Sequence, residues 1–437
     1  MKQVLYLALL AVVCTSNRSF GQFTLTAEIN ARPEFRNGFK APKEEGADPA
    51  FFVEQRSRLY ANYKEEKFEL QITLQDVRMW GANGQVHKTD NAMTALAEGW
   101  GRYYFTPALS FKAGRQMISY DNQRFFGGLE WAMQGRRHDA LLFMYETENK
   151  LKIHTGFAFN QNPSVAQEPV KLTGSSYPPP ANGAYHAVAN YKHMEYAYLN
   201  KQFDAASLSV YLVNEGRQYD VSADSLSARQ TYGMMGMKEF GNFKVNAELF
   251  YQGGKVESID LGAYMFSVSA TIKTDITPIT IGYDHLSGDD PTSSDKKENF
   301  APAFGTNHAF YGFMDYFYVG NGHSNKGLQD IFLKTKFSFG EKGGSLSGHL
   351  HYFMAASDIV QTDGTNASAG LGTEVDLVYV KKLIPAVTWK LGYSHMFATE
   401  SMELIKGGDA SLTNNWAWTQ IIFKPQLFKS KVKEDKS

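Results

Sequence analysis

The sequence predicts an all-β protein, a membrane-spanning antiparallel up-and-down β-barrel of about 18 strands. Three observations point there. Short segments of alternating polarity recur along the chain. The gaps between them are alternately short and long. After the N-terminus, no apolar run is long enough for a membrane helix. Short turns at one end and long loops at the other are the layout of an outer-membrane barrel. A bilayer offers no water to an open sheet edge, so an all-β structure that spans it must close.

The chain has 437 residues and a net charge of −1, with 20% charged and 43% hydrophobic residues. Its mean hydropathy is −0.36, far too polar for a helical membrane protein. Aromatics reach 14%, with 24 Tyr and 31 Phe, as girdles at two membrane interfaces require. A soluble β-sandwich or β-solenoid is the competing composition. A net charge near zero gives no bulk field for nucleic acid, and none is expected as a partner. Arginine is unevenly placed: of 13, 11 precede residue 140, and only Arg217 and Arg229 follow.

The start reads as a secretory signal over residues 1–21: Lys2, an apolar run from Val4 to Val13, then Ser19-Phe20-Gly21 before cleavage at Gln22. Cys14 is the sole cysteine, and Val13 before it is too large for a lipoprotein signal. Thiol chemistry is therefore not expected. Residues 22–428 are read as the barrel and 429–437 as a polar, lysine-rich tail.

Along the chain, Phe23 to Arg32 alternates: Phe23, Leu25, Ala27, Ile29 and Ala31 share one face, and Thr24, Thr26, Glu28, Asn30 and Arg32 the other. Period two is the strand signal. Phe68, Leu70, Ile72 and Leu74 repeat it, as do Leu151 to Phe159, Phe243 to Tyr251 and Ile331 to Phe339. Strands are predicted near 23–32, 55–63, 68–78, 99–106, 108–116, 137–145, 151–159, 193–202 and 206–214. Nine more are predicted near 230–239, 243–252, 261–273, 277–286, 328–339, 347–356, 371–382, 386–397 and 413–423. Gaps such as 64–67, 203–205 and 240–242 are short, whereas 33–54, 79–98, 117–136, 160–192 and 287–327 are long. That alternation suits consecutive hairpins. It places both ends of the barrel on the short-turn, periplasmic side.

One dense block narrows the function: Gly114-Arg115-Gln116, then Tyr120-Asp121-Asn122-Gln123-Arg124, Gly127, Trp131, Gly135-Arg136 and Asp139. It resembles the alginate export family of outer-membrane proteins. That family carries a Gly-Arg-Gln strand end, a Gly-Asp-Gln-Arg-like loop, a Gly, a Trp and a closing Gly-Arg-x-x-Asp. Here Asp121-Asn122 stands where the family tends to have Gly-Asp. A second block, from Thr306-Asn307-His308 to Gly312-Phe313-Met314-Asp315-Tyr316-Phe317, also looks like the family pattern. The resemblance implies an 18-stranded barrel in the bacterial outer membrane. Its lumen would be lined by arginines and acids and would pass an anionic polyuronate.

The residues agree with that chemistry. A polyuronate has one carboxylate per sugar, and a guanidinium fork matches a carboxylate bidentately. Arg32, Arg56, Arg58, Arg78, Arg102, Arg115, Arg124, Arg136 and Arg137 cluster in the first third of the barrel. On closure they are expected to form one anion-attracting wall, with Asp76, Asp121, Glu130 and Asp139 pairing to hold them. The alternative for any one arginine is an ion pair that only stiffens the wall. Trp131 is expected to anchor its loop, and His308 and Asp315 to fold the 287–327 loop.

The expected protein is a monomer that passively conducts an anionic saccharide or other small anionic solutes. It would sit in outer-membrane lipid and meet periplasmic export partners. Two readings compete: a general diffusion porin without saccharide selectivity, and a surface barrel sealed by loops such as 160–192 and 287–327. No cofactor or metal is expected. His349 and His351 share a strand face, but the sequence shows no third ligand. Asp289-Asp290 to Asp295 lacks an EF-hand pattern. Gly344-Ser345-Leu346-Ser347-Gly348 has no central nucleophile and no phosphate-binding loop occurs, so an enzyme is not expected.

Overall fold

The computed structural model describes residues 21–82, 94–160, 191–217, 226–293, 295–317 and 325–430. All of the expected signal segment but Gly21, all but the start of the polar tail and most of the 160–192 loop lie outside these residues.

Eighteen strands form one closed antiparallel sheet. The first nine are β1 (Gln22–Asn37), β2 (Ala50–Lys64), β3 (Phe68–Met79), β4 (Thr94–Tyr104), β5 (Leu109–Gln116), β6 (His138–Glu146), β7 (Leu151–Phe159), β8 (His193–Gln202) and β9 (Ala206–Arg217). The rest are β10 (Ser227–Phe240), β11 (Phe243–Val256), β12 (Ile259–Lys273), β13 (Pro278–Leu286), β14 (Leu328–Ser338), β15 (Ser345–Met354), β16 (Gly370–Ile384), β17 (Val387–Ala398) and β18 (Asn414–Phe423). Each pairs with its neighbour in sequence, and β1 pairs with both β2 and β18: Ile29 stands beside Ser57 on one side and Phe423 on the other. Pro425 lacks the N–H a ladder needs, so pairing breaks after β18. It resumes at Gln426–Lys429 against Thr24 to Thr26. Closure leaves no free edge in the bilayer.

The faces are reversed relative to a soluble sandwich. On β1, Glu28, Asn30, Arg32 and Glu34 are buried toward the interior, while Ile29 is 49% and Phe35 36% exposed on the outside. Leu70, Ile72 and Leu74 on β3, Leu141 and Phe143 on β6, and Ile279 and Ile281 on β13 continue the outer apolar belt. Near the short turns the belt ends in aromatic rings: Tyr103, Phe105, Phe111 and Phe143 touch edge to edge or tilted, with centroids 5.2–6.5 Å apart. Lipid contacts one face and polar groups fill the other.

The strands extend farther than the alternation marks. β1 runs to Asn37, β2 begins at Ala50 and β4 at Thr94. β11 and β12 run on to a two-residue turn where the sequence predicts a gap over 253–260. Most of this extra length is on the long-loop side, beyond the apolar belt. Backbone pairing continues there after the outer face has stopped facing lipid, so polarity no longer alternates.

Two loops fold inward. The β5–β6 loop (117–137) and the β13–β14 loop (287–327) meet through a parallel bridge between Phe126 and Phe304, whose rings stack at 5.5 Å. Gly127 N–H donates to the Phe304 carbonyl at 2.8 Å. Thr306 clasps Gln123, its N–H donating to the Gln123 carbonyl at 2.9 Å. A Cβ on Gly127 would lie 2.2 Å from Thr306 Oγ1, so only glycine permits this approach.

Candidate functional site

Strand parity turns one row of charges inward. On β2, Arg56 and Arg58 share the inner face and face Glu28 of β1 and Gln75 of β3. Arg56 donates to Glu28 at 2.6 Å and Arg58 donates to Gln75 at 2.7 Å. Glu130, on the inward 117–137 loop, accepts from Arg58 at 2.6 Å and from Arg137 at 2.7 Å. Arg137 also pairs with Glu98 of β4 at 2.6 Å. Burial raises the pKa of Glu130, but Arg58 and Arg137 outweigh it and hold the carboxyl below its usual range. Above this row, Arg32 bridges Glu34 and Glu54, each at 2.7 Å. Lower down, Arg102 pairs with Glu146 at 2.7 Å and donates to Ser110 at 2.9 Å.

Arg124 is the hub between the inward loop and the far wall. Its guanidinium spans Asp284 of β13 at 2.6 and 3.1 Å and Glu248 of β11 at 2.9 Å. It also donates to Ser267 of β12 at 3.2 Å and to Tyr311 of the second loop at 3.0 Å. Phe310 covers its face at 3.9 Å. Burial disfavours the charge, yet Asp284 and Glu248 overcome it and raise the pKa further.

Asp121 and Trp131 fix the same loop at two more points. Asp121 has φ +48°, in the left-handed region that glycine enters freely and aspartate tolerates. It sits where the resembled family tends to have glycine. Its carboxylate accepts from Tyr198 at 3.1 Å, from Ser209 at 2.9 Å and from Tyr211. Trp131 lies between the Arg32 guanidinium, 4.0 Å from the ring centre, and His308, stacked at 4.6 Å. His308 is paired with Asp315 at 2.7 Å. With both Trp131 faces covered, the ring clamps the two loops to β1.

Two expected wall arginines face the other way. Arg115 on β5 shares the outer face with Leu109 and is 44% exposed, paired at 3.0 Å with Asp139. Arg78 on β3 shares the outer face with Leu74 and is bidentate to Asp76 at 2.6 and 2.8 Å. The expectation that Arg78, Arg115, Asp76 and Asp139 line the pore is therefore corrected. Period two sets the reason, because Gln116 and His138 take the inner positions beside Arg115 and Asp139. Arg102 stays inside because the register sets it beside Glu69 of β3 and Lys112 of β5, on the short-turn side of a β-bulge between Thr73 and Leu74.

Arg136 differs from the other inward arginines. It donates to the Gly305 carbonyl at 3.0 Å, and no carboxylate pairs with it among the described residues. Burial without an acidic partner lowers its pKa to about 10, still cationic at neutral pH. The acids that hold the wall were mostly missed in the sequence reading. Glu28 and Glu34 were accessible to it, since they share the parity of Arg32. Glu248 and Asp284 were not, because only closure brings β11 and β13 to Arg124.

A sequence model of the alginate export family matches residues 22–417. No curated protein matches significantly. Among solved structures, the barrel is similar to Pseudomonas aeruginosa OccK9 (OpdG), with a TM-score of 0.59 at 10% identity over 93% of this chain and 98% of that one. It is similar to a BenF-like porin from Pseudomonas fluorescens Pf-5, with a TM-score of 0.59 at 11% identity over 93% and 99%. P. aeruginosa OpdK with vanillate matches with a TM-score of 0.57 at 10% identity over 92% and 98%. At these identities the likeness is one of fold, an outer-membrane porin barrel. From the family match and the closed barrel with its outer apolar belt, this chain belongs to the alginate export family and is a channel-type barrel of the bacterial outer membrane.

Proposed function

We propose that the protein is an outer-membrane channel for anionic solutes, with an acidic saccharide such as a polyuronate as the best-matched cargo, and that it is not an enzyme. Arg136 carries the reading. It is a guanidinium on an inward loop with no carboxylate partner among the described residues, and a solute carboxylate would supply one. The other inward arginines, Arg32, Arg56, Arg58, Arg102 and Arg137, are already paired to acids. Such a wall attracts weakly at many points, which lets a charged chain enter and also leave. Asp121 and Arg124 serve as the supports that hold Arg136's loop in place.

A second observation favours gating over free diffusion. Phe125, Phe126, Phe304, Tyr311 and Met314 are buried inside the barrel, so the two loops occupy part of the passage. The test is planar-bilayer conductance of refolded protein in a KCl gradient, with short oligouronates titrated in. Anion-selective current that the oligouronate blocks, with the block weakened in Arg136→Ala, is the expected result. Steady current without block would leave a general porin. No current from folded protein would leave a sealed barrel.

A further inference from the structure

The inner wall at β15 and β16 holds a second polar cluster that the channel reading does not use. His349 and His351 lie two apart on the inner face of β15. The antiparallel register sets Asp376 of β16 beside His349 and Glu374 beside His351. One donor atom from each of His349, His351 and Asp376 lies within 4.8 Å of the others. Sequence spacing supplies the two histidines, and strand pairing supplies the missing third ligand.

We infer that His349, His351 and Asp376 form a binding site for a divalent transition-metal ion of the zinc class. Three independent features support it. First, the second shell is built. His351 Nδ1 lies 2.8 Å from Asp330 Oδ2, so that the tautomer donating to Asp330 leaves its Nε2 lone pair free, and Ser394 donates to Asp376 Oδ1 at 2.5 Å. A carboxylate behind the imidazole is the usual way a metal-ligating histidine is oriented. Second, the donors lack proton donors. Asp376 is 1% exposed, and its Oδ2 meets no N–H or hydroxyl among the described residues, only the neighbouring carboxyl of Glu374; the buried Nδ1 of His349 has no hydrogen-bond partner there either. Buried polar atoms are almost always satisfied. Third, the charge is unbalanced. Asp330, Glu374 and Asp376 are all buried, and none forms an ion pair with Lys or Arg among the described residues. Lys334, beside His349 in the register, donates to the Ala309 carbonyl, and Arg124, the other nearby cation, is already paired to Asp284 and Glu248. A divalent cation would neutralise the excess.

Two imidazoles and one carboxylate are ligands that zinc takes at about 2.0–2.2 Å, with an open fourth position for water. Tetrahedral donors at that length stand about 3.4 Å apart, within reach of side-chain rotation from the observed spacing. The set is too nitrogen-rich for calcium or magnesium, which prefer all-oxygen cages. The ion would also fasten a loop. Phe313 of the inward 287–327 loop covers His349 at 5.0 Å, and Met314 N–H donates to Glu374 at 2.8 Å.

The experiment is zinc binding by tag-free, refolded protein in detergent, read by competition with a chromophoric chelator, with folding checked by heat-shifted gel mobility. One equivalent of Zn²⁺ is expected, undisturbed by excess Ca²⁺. His349→Gln and Asp376→Asn should abolish it, and Asp330→Asn should weaken it by about 10–100-fold. X-ray absorption on the wild-type zinc complex should show imidazole in the first shell, a readout that holds even if a variant fails to fold. No zinc binding by folded wild type, binding unchanged in His349→Gln, equal competition by Ca²⁺, or an all-oxygen shell would each overturn the site. Buried carboxylates satisfied by shared protons would then explain the cluster.

Discussion

The guanidinium of Arg124 grips Asp284 through two nitrogens, at 2.6 and 3.1 Å, across 160 residues of sequence. The contact ties a loop that leaves β5 to a strand on the far side of the barrel. Removing one partner of a buried ion pair strands the other, which costs about 3–5 kcal/mol. Arg124→Met should therefore lower the urea midpoint of the folded barrel and produce noisier single-channel current. Asp284→Asn together with Arg124→Met should recover part of the loss, since one of the two stranded carboxylates is gone and only Glu248 remains.

Arg115 and Arg78 face outward beside Asp139 and Asp76. Arg115→Ala and Arg78→Ala should leave the reversal potential of the channel where it is in the wild type. Arg136→Ala should shift it toward cations. A shift in Arg115→Ala equal to that in Arg136→Ala would contradict the inward and outward assignment.

Trp131 joins Arg32 to His308 and lies 4.8 Å from Trp418 of β18. Trp131→Ala removes the wedge shared by both loops, at a cost of about 3 kcal/mol. Limited proteolysis should then cut within 117–137 and 287–327 faster than in the wild type, while the strands stay protected.

Glu130 titrates below its usual range because Arg58 and Arg137 favour the carboxylate. A depressed folded-state pKa adds stability above the unfolded value of about 4.3 and loses it as pH falls through the lower folded value. The β5–β6 loop should therefore loosen on acidification below about pH 4.3. The difference in tryptophan fluorescence between wild type and Trp131→Phe, read against pH, reports the change from the adjacent position. Glu130→Gln should flatten that step, and an unaltered acid transition in the variant would place its origin elsewhere.

Strand number, the alternation of short turns and long loops, and the family were legible in the chain because each depends on local order. Period two and turn spacing survive in one dimension. The inward loop was legible as a block because Gly127, Trp131 and Arg136 lie close together in sequence. Arg115 and Asp139 were misassigned because membership of that block outweighed parity, which sets Arg115 on the face of Leu109 and Asp139 on that of Leu141 and Phe143.

By itself, the sequence determined an outer-membrane barrel, since alternating polarity along short segments is enough to make lipid the better solvent for one face and polar groups for the other. The tertiary structure decided which arginines face inward and which acids meet them. It also set Asp376 beside His349. These pairings depend on sheet register and closure, where a shift of one residue reverses every side chain, and no local pattern encodes the partner that a distant strand brings.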